Sequence, residues 1–159
     1  MKIYTLKKMK KTTILIPILA LLLVACDKNN RASKRLMRPG NWVVAQLTVD
    51  GSNYTNEAVF WSINSCDIEA ALCTGSWTLA DKSSQFYWQF NENAELFTLS
   101  RIIAPEDCED FYTEEVEQMT YLFSGEYKVV ESKRKSKIFE SQNTIGFEGK
   151  LVRLILHIE

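Results

Sequence analysis

Residues 85–90 read QFYWQF, which puts Phe86, Trp88 and Phe90 on one face and Tyr87 and Gln89 on the other. Alternation with a period of two marks a half-buried β-strand. The same period returns near the C-terminal end, where Val152, Leu154, Leu156 and Ile158 share one face. The opposite face there is mixed, with Leu151, Arg153, Ile155 and His157. Runs rich in β-branched and aromatic residues, bounded by turn residues, mark six more strands at 41–49, 57–64, 75–80, 95–102, 125–132 and 136–141. Asp50-Gly51 follows the first of them, and this pair favours a tight hairpin turn because glycine takes positive φ without steric cost. The first strand is apolar on both faces, so its register is not readable. With 85–90 and 150–158 the set comes to eight strands at near-regular spacing. That spacing predicts an all-β domain, an antiparallel sandwich or barrel. Eight strands suit a closed up-and-down barrel, which removes exposed edges.

Residues 106–123, EDCEDFYTEEVEQMTYLF, break the period of two. Tyr112, Val116, Met119 and Phe123 fall at helical spacing there, predicting one short amphipathic helix. Acids near its start complement the helix dipole. Its acidic face reads as solvated, since no D-x-D-x-D-G loop supports calcium.

The N-terminal segment has a different character. Residues 12–25 are almost wholly apolar and follow Lys7, Lys8, Lys10 and Lys11. A basic stretch, an apolar stretch and a small-residue junction make a secretory signal. The apolar run falls short of the roughly 20 residues that span a bilayer. Its end, Leu23-Val24-Ala25-Cys26, resembles the bacterial lipobox. The resemblance implies cleavage before Cys26 and acylation of its thiol. The competing reading is an ordinary signal followed by a disulfide cysteine. Met9 opens a complete signal by itself, so residues 1–8 are not needed for it. Acylation would hold the chain on the membrane and place it in the cell envelope, with the outer membrane as the expected site.

Charge then divides the remainder. Residues 26–38 hold five basic residues and one acid, and 39–159 hold nine basic residues against nineteen acids. The first stretch reads as a basic flexible tether lying near anionic headgroups, or as a plain solvated linker. The second reads as one acidic domain, long enough for a real core, and its charge argues against nucleic acid as a partner. Cys66, Cys73 and Cys108 follow the signal, an odd number for an oxidising compartment. Cys66 and Cys73, close in sequence, are the expected pair, and Cys108 is left unassigned. A zinc site is not supported, because neither a second histidine nor CxxC spacing is present.

Gly40-Asn41-Trp42, opening the first strand, matches the G-x-W start of lipocalin-like domains. GNWVVAQLTVDG and FWSINSCDIEAALCTGSW resemble the small lipocalin-like lipoproteins of bacteria, and the closing hairpins fit them too. The resemblance implies a lipocalin-like barrel over 39–159. It makes Gly40 and Trp42 structural, Trp42 as the plug of the closed base, and it suggests similar packing work for Trp77. The segment bearing Cys108 departs from the pattern.

Catalytic chemistry is hardly represented. His157 is the single histidine, and GxSxG, P-loop and Rossmann patterns are absent. The reading is therefore not an enzyme, with no cofactor and no metal. The aromatic residues of the middle strands either fill the core or leave Trp61, Phe86 and Trp88 lining a pocket. The first functional expectation is a lipid-anchored envelope protein that binds a small hydrophobic ligand. The alternative is a filled barrel serving as a structural or interaction module of an envelope protein complex, with a binding surface at the acidic segment.

Overall fold

The computed structural model describes residues 28–67, 72–102 and 114–158. The chain forms helix α1 (28–37), strands β1 (Asn41–Val49), β2 (Ser52–Asn53), β3 (Val59–Ile63), β4 (Cys73–Leu79), β5 (Lys82–Phe90) and β6 (Leu96–Arg101), helix α2 (Glu115–Leu122), then β7 (Gly125–Ser132), β8 (Ser136–Thr144) and β9 (Val152–His157). Each long strand pairs antiparallel with its neighbour in sequence order, and β1 pairs with β9. The result is a closed eight-stranded antiparallel barrel, with β2 a short arm on the end of β1.

The arm is the hairpin expected from Asp50-Gly51. Both residues take positive φ, 49° and 82°, as a two-residue type I′ turn requires. Asp50 also accepts a hydrogen bond at Oδ1 from the Leu151 amide at 2.9 Å, tying this turn to the start of β9. The register of β1 was unreadable for a physical reason. Its pairing with β9 shifts between Val44 and Gln46. Such a bulge reverses the facing of later residues, so that Trp42 and Leu47 are both buried.

Alternation holds elsewhere. Phe86, Trp88 and Phe90 point inward, as do Val152, Leu154 and Leu156. Two boundaries differ from the sequence reading by three residues. The turn between β4 and β5 is tighter than the polar stretch 81–84 suggested, because Ala80 takes positive φ (52°) and Ser83 and Ser84 are already paired with Thr78 and Trp77. β8 runs on to Thr144.

The predicted helix survives as α2, with Val116, Met119 and Phe123 buried. Residues 103–113 of the acidic segment, including Tyr112 and Cys108, lie outside the described residues. The flexible tether is corrected over 28–37, where the chain is helical. Ala32 and Leu36, four apart, share one face of α1 and are buried with Ser33. An apolar stripe one turn long was enough to dock this basic segment on the barrel. Cys26 lies outside the described residues.

The barrel has two unlike ends. The base gathers α1, the β3–β4 connection, the β7–β8 turn and Ile158. The far end gathers α2, the Asp50-Gly51 turn and the β8–β9 connection. Tyr54, Phe123 and Phe147 pack there at ring distances of 4.8–5.9 Å. Tyr127 donates to the Phe123 carbonyl oxygen at 2.6 Å, and burial pushes its phenol well up. Among the described residues the apolar core is enclosed by a sheet that closes on itself between Asn41 and His157, so a fragment of residues 28–159 keeps every described element of the fold.

Between the ends, Gly75 sits under the Phe86 ring. A Cβ there would lie 2.7 Å from Cζ of Phe86 and 3.0 Å from the Ser62 carbonyl oxygen. Gly75→Ala is therefore expected to destabilise the fold by about 1–3 kcal/mol, as overpacking does. A denaturant titration checks this. An unchanged midpoint would mean that the ring yields at no cost.

Candidate functional site

α1 presents two faces. Ala32 and Leu36 turn to the barrel, while Lys34, Arg35 and Arg38 remain exposed. Gly40 then takes a φ of +76°, and its amide donates to the Met37 carbonyl oxygen at 2.9 Å. Only glycine adopts that backbone cheaply, and the bend delivers Asn41-Trp42 into β1.

Trp42 is the joint of the base. Its Nε1 donates to the Leu36 carbonyl oxygen at 2.8 Å, fixing the helix C-terminal turn over the ring. The Nζ of Lys137, from β8, lies 4.6 Å from the centre of the same ring, within cation–π range. That Nζ also donates to the carbonyl oxygens of Lys133 and Ser136. Lys137 is fully buried, and its two backbone acceptors provide the partners a buried ammonium needs. Burial lowers its pKa from the ordinary 10.5 to about 8, helped by Arg35 and opposed by Glu131.

These bonds set the helix beside the β7–β8 turn. Arg35 donates to the Ser132 carbonyl oxygen at 3.4 Å, 97 positions away in sequence. Between them runs an open groove of about 720 Å³. Lys34, Arg35 and Arg38 line one side and Lys133, Arg134 and Lys135 the other. Glu131 pairs with Lys133 at 2.5 Å, and its hydrogen bonds from Lys133 and Ser136 hold its carboxyl below the usual range. Among the described residues, Lys34, Arg35, Arg38, Arg134 and Lys135 make no ion pair. Ser132 adds one hydroxyl to this lining, and cations supply most of the rest. The groove's chemistry is the attraction of anions by a wall of exposed cations.

The residues expected to line a ligand pocket are elsewhere. Trp61, Phe86 and Trp88 lie inside the barrel, all fully or almost fully buried. Trp61 packs on Trp77 at 4.8 Å, on Phe86 at 5.0 Å and on Phe139 at 6.5 Å. Phe97 meets Phe139 at 4.6 Å and Trp88 at 6.3 Å. Side chains from β3 and β8 thus touch across the bore. The structure brings Trp61 and Phe86 together and joins Trp77 to them, while Trp42, the register partner of Trp61 on β1, lies toward the base. Cys66 and Cys73 form a disulfide with a Cα–Cα distance of 5.6 Å, pinning the β3–β4 connection.

Sequence reasoning missed half of the groove. Lys133-Arg134-Lys135 was visible as three consecutive cations inside a closing hairpin. Nothing in the sequence placed that turn beside α1. Lys137 could have been found from its position two residues before Phe139, on the inward face of the same strand. No family model, curated protein or solved structure matches the chain.

The lowered Lys137 pKa has a signed consequence. The folded state releases the proton near pH 8 and the unfolded chain near 10.5. Between those values the unfolded chain binds more protons, so this group makes stability rise with pH. Unfolding midpoints across that window should rise more steeply for the native protein than for Lys137→Met. Parallel curves would show that Lys137 stays charged without penalty.

Proposed function

We propose that this chain is an envelope lipoprotein of the lipocalin-like kind, anchored through Cys26, whose filled barrel is a rigid interaction module and not a carrier or an enzyme. The observation behind the reading is the packing of the bore. Trp61, Phe97 and Phe139 meet ring to ring from opposite walls, and such contacts occupy the volume a carried ligand would need. The exposed chemistry lies at the base, in the basic groove, and we take that groove as the interaction surface.

The anchor rests on the apolar run 12–25 and the lipobox-like Leu23-Val24-Ala25-Cys26. No helix among the described residues is long and apolar enough to cross a membrane. Metabolic labelling with a fatty-acid analogue should mark the native chain and leave Cys26→Ala unlabelled. Label retained in the variant would sink the anchor.

One observation favours small-molecule carriage instead. The indole N–H groups of Trp61 and Trp77 are buried with no acceptor among the described residues. An orphaned buried donor costs about 1–3 kcal/mol, and an acceptor atom on a ligand would relieve it. Native mass spectrometry of protein purified gently from its source cells separates the two readings. The filled module predicts the bare protein mass. A reproducible excess that leaves on denaturation would establish a carried molecule and overturn the filled-module reading.

A further inference from the structure

We propose that the base groove is a docking surface for the anionic headgroups of the bilayer that holds the chain. The inference deepens the interaction-module reading and rests on it. Its first support is reach. Cys26 stands two positions before Lys28 at the start of α1, and a chain spans at most about 7 Å over that distance. α1 itself is about 15 Å long. An acylated Cys26 therefore holds Lys34, Arg35 and Arg38 close to the headgroup layer, and the helix holds the β7–β8 turn beside them.

Charge is the second support. Six exposed cations from two distant segments face one groove, and Glu131 is paired to just one of them. The far end carries Glu114, Glu115 and Glu117 at the start of α2, with Glu114 paired to Lys82 at 3.2 Å. A negative leaflet attracts the base and repels the far end, so the field orients the barrel before any contact forms.

An apolar surface adjoining the groove is the third. Pro39 and Ile158 line the basic groove and also a neighbouring shallow groove on the outer wall of β1 and β3. There Val43 and Phe60 are register partners, and Phe60 is 41% exposed. Cations beside an exposed aromatic suit a headgroup layer, where charges meet lipid phosphates and the ring enters the interface. An inorganic anion would use the charges and leave Phe60 idle.

The test uses residues 28–159, which lack Cys26, so its outcome does not depend on acylation. The fragment is sedimented with phosphatidylglycerol-containing vesicles and with pure phosphatidylcholine vesicles. Binding should be confined to the anionic vesicles and should weaken as salt rises. Each cation near the surface contributes roughly fivefold in binding, so Lys133→Ala/Arg134→Ala/Lys135→Ala should weaken it by at least about tenfold. Lys34→Ser/Arg38→Ser, on the helix side, should weaken it several-fold, which guards against a local defect in the turn. Lys82→Ala/Lys128→Ala/Lys150→Ala removes the same charge away from the groove and should leave binding within about twofold. Equal loss in that control would reduce the effect to net charge and overturn the proposal. Saturable binding of inorganic phosphate without vesicle binding would overturn it too, making the groove a free-anion site. So would no vesicle binding at all, which would direct the search to an acidic protein partner.

Discussion

Trp42 is held from two sides, by the hydrogen bond it donates to Leu36 and by the ammonium of Lys137 over its ring. Most of what is distinctive about this molecule depends on that clamp. The bond to Leu36 ends α1 against the barrel and not in solvent. The contact with Lys137 joins β1 to β8 across the base. Lys137 in turn bonds the carbonyl oxygens of Lys133 and Ser136, which fixes the β7–β8 turn. Three elements far apart in sequence thus meet at one indole. Without it, α1 would keep a short apolar stripe and the long Arg35–Ser132 bond to dock with, and the two banks of the groove would lose their buried support.

The clamp also explains how an ammonium is tolerated inside. An isolated buried charge is very costly, whereas one that is hydrogen-bonded and set on an aromatic face loses less on leaving water. The lowered Lys137 pKa shows that some cost remains. The barrel accepts it at its base and nowhere else in its interior among the described residues, where the inward positions are otherwise apolar or small and polar. Above the base, Trp61, Phe97 and Phe139 close the bore, and Gly75 gives up a side chain to make room for Phe86. The far end is closed by Tyr54, Phe123 and Phe147. A barrel packed along its length in this way is a stiff body that positions its surface.

The walls of the barrel were legible because each strand obeys one rule. Phe86, Trp88 and Phe90 had only to alternate, and their inward facing followed. The short Cys66–Cys73 connection and the Asp50-Gly51 turn are local in the same sense. β1 failed at its bulge, since a single extra residue reverses the facing of all that follow. α1 failed because Ala32 and Leu36 are too few to show periodicity among Lys34, Arg35 and Arg38, and charge dominated the reading. The groove was illegible for a deeper reason. It is made by the β1–β9 closure and the Trp42 clamp, which bring 34–38 beside 132–135. Composition records six cations in those stretches, but adjacency is a property of the closed sheet.

Closure also changes what the uneven charge means. Along the sequence, a basic stretch precedes an acidic domain, and the acids could be read as simple solubility. In the folded chain the β7–β8 turn adds three cations to the N-terminal set, so the basic region becomes a patch fixed on a rigid body. A flexible basic tether would follow its anchor and leave the barrel free to tumble. A helix seated on the barrel by Leu36 and Trp42 cannot pull on one without turning the other. A force applied to α1 is therefore passed to the whole barrel through a few short bonds at the base, and the fold itself decides which end of the barrel the helix occupies.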